Sequence, residues 1–119
     1  MARDEGFAEY IVGDVLGHIG DITRKVLFSG YGIYLEGKIV GIIIDGTFYT
    51  KADKELMQKY QNEDCEPFQY TRPDGKVVTM PYVSVPIDVL EDREKVSERI
   101  YESFELNQKK SKLQTKKSR

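Results

Sequence analysis

The fold of this chain is most constrained by residues 24–51. In this region, short segments rich in β-branched and aromatic residues alternate with glycine-containing dipeptides. Such segments favour extended strands. An Asp-Gly pair suits a tight hairpin, because both central residues of that turn need a positive φ. The sequence therefore predicts an antiparallel meander. Its strands are residues 24–28, 31–35, 38–44 and 47–51, and its connections are Ser29-Gly30, Glu36-Gly37 and Asp45-Gly46.

The segment 39–44 is apolar at both alternating parities, which indicates a central strand covered on both faces of the sheet. If the first and last helices of the chain pack on the same face, the other face would expose an apolar patch that a second copy would cover. We therefore predict a homodimer. The competing interpretation is that the two helices cover opposite faces, so that no partner is needed.

Helical patterns precede and follow this meander. Apolar side chains recur near helical spacing in residues 5–18, although Gly13 and Gly17 each weaken a helix. Asp53 is placed to cap a short second helix. For the last helix, Asp88 and Glu91 form a capping pattern, and the helix is predicted to end near Gln108. Its apolar stripe comprises Val89, Val96, Ile100 and Phe104.

A second hairpin lies between the short helix and the last helix. Its strands are residues 67–71 and 76–83, and Pro73-Asp74-Gly75 supplies strong turn chemistry. Pro81 is expected at a strand end or at a sheet edge, because proline cannot donate to a ladder. The order helix, strands, short helix, hairpin, helix predicts an α+β fold with an antiparallel sheet and flanking helices.

Charge divides the chain into an acidic body and a basic tail. The net charge is −2, but residues 109–119 hold six basic residues and no acid, which leaves 12 basic and 20 acidic residues and a charge of −8 for the remainder. We interpret residues 1–106 as the domain and residues 107–119 as a disordered tail. An acidic body repels phosphates, so any DNA contact should be weak and made through the tail. The lysines concerned are Lys109, Lys110, Lys112, Lys116 and Lys117.

The composition argues against several cellular locations and several kinds of catalytic or metal site. Cys65 is the one cysteine, which rules out an internal disulfide and suits a reducing compartment. No signal peptide or membrane-spanning run is visible, so we expect a soluble, cytoplasmic protein without a membrane partner. His18 is the one histidine, so neither a nucleophile with its base nor a structural zinc site is supported. We expect no cofactor.

The run from Arg24 to Tyr34 resembles the signature of the N-terminal domain of the TfoX family of competence regulators, which is an arginine, then Met-Phe-Gly-Gly-Tyr-Gly, then an apolar strand. Leu27 and Ser29 depart from it, standing where methionine and glycine are usual. The resemblance extends over about residues 6–104. It implies the order α-β-β-β-α-β-β-α and a link to transcriptional control of competence genes in bacteria.

Two functions remain open. The first is a non-enzymatic regulatory module that binds a protein partner, since eight tyrosines and no tryptophan suit an interface. The second is a small ligand-binding domain or enzyme with a cationic site, in which Arg24 and Lys51 face tyrosine rings. The candidate contact residues are Arg24, Tyr31, Tyr34, Lys51 and Tyr82.

Overall fold

The computed structural model describes residues 5–27 and 29–117, with side-chain surroundings described as far as residue 106. It confirms the α+β fold, built on a six-stranded antiparallel sheet of order β1-β2-β3-β4-β6-β5. The order of helices, strands and hairpin along the chain is also confirmed. The strands are β1 Ile22–Leu27, β2 Gly30–Leu35, β3 Lys38–Ile44, β4 Thr47–Lys51, β5 Pro67–Thr71 and β6 Val77–Ser84.

Two turns of the meander have the predicted backbone. Asp45 and Gly46 have φ values of 51° and 72°, and Glu36 and Gly37 have φ values of 50° and 83°. Both central residues of each turn are therefore left-handed, as a tight hairpin of this twist requires. Gly30 serves a different purpose, because a Cβ there would lie 1.8 Å from the carbonyl oxygen of Ile43. That glycine lets β2 approach β3.

The first helix is not a regular α-helix. The helix α1 spans Glu5–Glu9 and continues as a π-helical segment, Tyr10–Val15. The amide of Leu16 accordingly bonds to the carbonyl of Ile11, five residues earlier, at 2.9 Å. A Cβ at Gly17 would lie 2.2 Å from the carbonyl oxygen of Gly13, so glycine at this position permits the tightly closed end of the segment.

The short helix α2, Lys54–Gln61, begins as predicted, since the Asp53 side chain accepts from the amide of Leu56 at 2.9 Å. The predicted start of the last helix is wrong. Asp88 lies inside the single turn α3, Ile87–Leu90, which has no side-chain cap.

The long helix α4, Arg93–Lys117, begins after a break in the chain's helical structure. The carboxylate of Asp92 accepts from the amides of Glu94 and Lys95 at 3.0 and 3.1 Å. The break lets both Leu90 and Val96 reach the core, where each is buried. Burial therefore decides between two aspartates with similar local capping chemistry.

The helices α1, α3 and α4 pack on one face of the sheet, and strand β3 contributes to clusters on both faces. On the helix-covered face, Ile11 and Ile100 meet Ile33, Val40 and Ile43 in the main core. On the opposite face, a second cluster forms from strand residues alone. The prediction that residues 39–44 are central and covered on both sides is confirmed by this arrangement.

Pro81 lies neither at a strand end nor in an edge strand, contrary to expectation. It falls inside β6, which has β4 on one side and β5 on the other. The pairing with β4 stops at Tyr82, and the register with β5 shifts between Pro67 and Gln69. The proline is tolerated because the ladder is irregular there.

The helix α4 continues to Lys117 rather than ending near Gln108. The side chains of the basic tail lie outside the described residues, so its independence of the body stays a prediction. No helix in the described ranges 5–27 and 29–117 has both the length and the apolar character needed to cross a membrane.

Candidate functional site

Arg24 and Tyr31 lie on the helix-covered face of the sheet. Arg24 is on β1 and its guanidinium carbon lies 5.0 Å from the centre of the Tyr31 ring. Tyr31, on β2, is buried in the main core. The Nη1 atom of Arg24 is itself buried and has no hydrogen-bond partner among the described residues. The arginine is therefore half-buried, and one of its donor nitrogens lacks an acceptor.

Lys51, Tyr82 and Tyr34 belong to the opposite face. Lys51 on β4 is the cross-strand partner of Tyr82 on β6, so the two side chains share a face. Tyr34 lies beneath the ammonium of Lys25, whose nitrogen is 5.2 Å from the ring centre. Burial, and then the proximity of Tyr34, raises the pKa of the Tyr82 hydroxyl.

The structure therefore divides the five predicted contact residues into two groups. Arg24 and Lys51 stand on β1 and β4, with two strands between them, and their side chains project from opposite faces. A single cationic site containing both residues has no geometric support. Tyr34, Lys51 and Tyr82 remain together on the helix-free side.

We call this helix-free side the aromatic face. Its centre is closed to solvent, since Ile42 is only 1% exposed, and half-buried aromatic and apolar side chains surround it. Burial raises the pKa of the Tyr49 hydroxyl on this face. The cluster comprises Ile42, Ile44 and Tyr82, with Leu27, Ile39, Tyr49, Phe68 and Met80 packed against them.

The β5–β6 hairpin extends the aromatic face into a row of rings. The Phe68 ring centre lies 5.2 Å from that of Tyr49 and 6.4 Å from that of Tyr70. Tyr70 at the end of the row is 45% exposed. Beside the row is a cavity of about 480 Å³, which is lined by Ser29, Ile44, Asp45, Phe68, Gln69, Tyr70 and Met80.

A buried arginine cluster lies on the other side of the sheet and was missed by sequence reasoning. Arg99 of α4 donates to the carbonyl of Ser84 at 2.9 Å and to the Sγ atom of Cys65 at 3.0 Å. Its guanidinium stacks on the ring of Tyr60, whose hydroxyl donates to Glu102. The available signal was spacing, because residue 99 falls on the buried side of the helix between residues 96 and 103.

A cavity of about 510 Å³ adjoins this cluster, and its lining mixes charges of both signs. Lys59, Lys95 and Arg99 contribute three cations, and four carboxylates outnumber them by one. Within the described residues, no group of three or more His, Cys, Asp or Glu side chains could hold a metal ion. His18 lies elsewhere, on the surface, with its Nε2 atom 2.9 Å from Ser97 Oγ.

Comparison with known proteins agrees with the resemblance. The sequence profile of the TfoX N-terminal domain matches residues 14–106. Among curated proteins, none matches the chain. The matched region contains both the aromatic face and the buried arginine cluster.

Proposed function

Because the chain belongs to the TfoX N-terminal domain family, we propose that it is a regulatory protein-interaction module in transcriptional or competence control, with no chemistry of its own. The observation that carries the proposal is the aromatic face. Tyrosine and phenylalanine side chains that are half-buried in the free chain offer apolar area and polar tips, which is the composition of protein interfaces.

The occupant that we propose is an apolar segment of a partner protein. The body of the chain carries a charge of −8, which disfavours a nucleic acid on this face. The cavity beside Phe68 and Tyr70 is large enough for one or two apolar side chains, and Asp45 is among its lining residues. Such a pocket suits an anchoring side chain from a protein.

A second copy of the chain is the alternative occupant. Helices α1 and α4 pack on the same face, which is the condition under which a homodimer was predicted. However, the side chains of the aromatic face already bury its centre within one chain. A dimer would therefore bury less exposed apolar area than the sequence indicated.

Site-specific photocrosslinking in the source organism tests the proposal. A benzophenone amino acid at Tyr70, on the aromatic face, should give a discrete crosslinked product. The same probe at Tyr101 of α4 is the matched control, because that side chain is 48% exposed but lies on the other side of the sheet. A product that contains two copies of the chain would identify the homodimer.

A transcript comparison connects binding to regulation. A Tyr70→Asp variant should change the same transcripts as deletion of the gene, whereas Tyr101→Asp should not. The proposal fails if Tyr70 gives no product beyond the Tyr101 control, or if deletion of the gene leaves all transcripts unchanged.

A further inference from the structure

Strand β1 forms one edge of the sheet and pairs only with β2 among the described strands. The amide of Glu36 donates to the carbonyl of Asp21 at 3.0 Å, which shows where the hydrogen-bonded pairs of this ladder fall. Because such pairs alternate in antiparallel sheets, the backbone N–H and C=O groups of Arg24 and Val26 point away from β2. An unpaired row of this kind is a template for another strand.

Two cations stand on this edge. Arg24 projects to the helix-covered face and Lys25 to the aromatic face, and each lies over a tyrosine ring. The salt bridges found among the described side chains are Lys59–Glu102 and Arg72–Asp74, which include neither of these cations. The Nη1 atom of Arg24 is buried and has no acceptor in the described part of the chain. A buried donor without an acceptor is unfavourable, so a ligand that supplies an acceptor to this guanidinium is favoured.

We propose that the β1 edge binds an extended acidic segment of a partner protein as an additional strand. Backbone hydrogen bonds to Arg24 and Val26 hold the segment, and a carboxylate directly opposite Arg24 shares its face and accepts from the guanidinium. The next residue of the segment projects to the other face, where a second carboxylate meets Lys25. Val26, which is 61% exposed, pairs with a β-branched residue.

A second copy of the chain fits this edge less well. Two-fold antiparallel pairing of β1 with itself is centred on one residue, and centring on Arg24 or Lys25 places like cations opposite each other. Centring on Thr23 brings Lys25 opposite Asp21 of the second copy. It also places Ile22 opposite Arg24, and centring on Val26 places Leu27 opposite Lys25, so each of these registers sets a cation against an apolar side chain. The local charge of the edge, set by Arg24 and Lys25 and opposite in sign to that of the body, therefore favours a different partner with an acidic segment.

Titration of the ¹⁵N-labelled full chain with two blocked peptides tests the inference. The probe is Thr-Val-Glu-Glu-Val-Thr and the matched control is Thr-Val-Gln-Gln-Val-Thr. We expect saturable amide shifts centred on β1 with the first peptide, and at least roughly tenfold weaker binding of the second, because hydrogen bonds to charged groups are the stronger ones. Absence of shifts in β1 at millimolar Glu peptide, or equal binding of both peptides, would overturn the inference.

Two variants separate the backbone from the side-chain contribution. Val26→Pro removes an outward-facing N–H and leaves the hydrogen bonds to β2 in place, so it should abolish binding, whereas Val26→Ala should retain it. Arg24→Gln should remove the preference for the Glu peptide, and this test holds even if the proline variant fails to fold. Retained binding by folded Val26→Pro would refute the strand geometry.

This inference does not depend on the aromatic face. The Tyr70→Asp variant should bind the Glu peptide as the unaltered chain does. Loss of photocrosslinking at Tyr70 together with retained peptide binding would reject the proposed function alone, and the reverse pattern would reject the β1 site alone.

Discussion

The guanidinium carbon of Arg99 lies 3.6 Å from the centre of the Tyr60 ring, so a cation of α4 stacks directly on an aromatic side chain of α2. Arg99 is only 3% exposed, and its other contacts are the carbonyl of Ser84 and the thiol of Cys65. One side chain thus connects the long helix, the short helix and strand β6. Arginine suits this position because its planar head can stack and donate at once.

Replacing this arginine should destabilise the fold. Arg99→Leu keeps apolar bulk but leaves the Ser84 carbonyl without its donor and removes the stacked cation, at a cost of about 2–4 kcal/mol. Urea unfolding measures the change. Arg72→Leu is the control, since that side chain is exposed and its salt bridge to Asp74 is worth at most about 1 kcal/mol. Equal losses in the two variants would contradict a structural role for the Arg99 contacts.

The two aspartates near the last helices should differ in their effect on stability. Asp92→Ala removes a carboxylate that accepts from two amides of α4, and should cost about 1 kcal/mol. Asp88→Ala should cost only a few tenths of a kcal/mol, because the turn α3 has no side-chain cap. Chemical denaturation of both variants provides the comparison. A larger loss of stability for Asp88→Ala would support Asp88 as the cap of the last helix, as predicted from the sequence.

Tyr60 should make stability fall in alkaline solution. Burial, and then the hydrogen bond to Glu102, raises the pKa of its hydroxyl above the ordinary value of 10.0. The unfolded chain therefore loses this proton at a lower pH than the folded chain, so the contribution is complete below pH 10 and declines as pH rises further. Unfolding free energies from pH 8 to 11 should decline less in Tyr60→Phe than in the unaltered chain. Parallel declines would show that other groups cause the loss.

The basic tail should be needed for any DNA binding and should contribute little to the stability of the fold. Deleting residues 109–119 should leave the melting temperature nearly unchanged, since the segment holds one apolar residue, Leu113. Any DNA binding should be weak, steeply salt-dependent and lost with the tail, because its six basic residues supply the counterion release. Fluorescence anisotropy with two unrelated duplexes measures this. Tight, sequence-selective binding without the tail, or a drop of many degrees in melting temperature, would oppose these expectations.

Local chemistry was sufficient to predict each feature that depends on a few neighbouring residues. The Asp45-Gly46 turn has the positive φ values that its dipeptide predicts, and Asp53 caps α2. The two-sided apolar pattern of residues 39–44 correctly placed β3 inside the sheet. In each case a backbone preference and a hydrophobic pattern agree, so few alternatives compete.

The candidate site was predicted less completely, because its composition depends on sheet register. Tyr34, Lys51 and Tyr82 share a face, as a common site would need, but Arg24 projects from the other side of the sheet. A shift of one residue in register moves every side chain of a strand to the opposite face of the sheet. Nothing in the sequence around Arg24 indicates that this residue pairs with Ile33.

The sequence by itself thus determined the α+β class, the meander, its turns and the central position of β3, because these follow from local propensity and alternating burial. Only the tertiary structure decided that Asp92 rather than Asp88 begins α4, and that Arg99 is buried against Tyr60. It also decided that α1 and α4 share one face and leave the other to aromatic rings. These outcomes depend on competition between contacts far apart in the chain, where burial outweighs differences in local preference that amount to a few tenths of a kcal/mol.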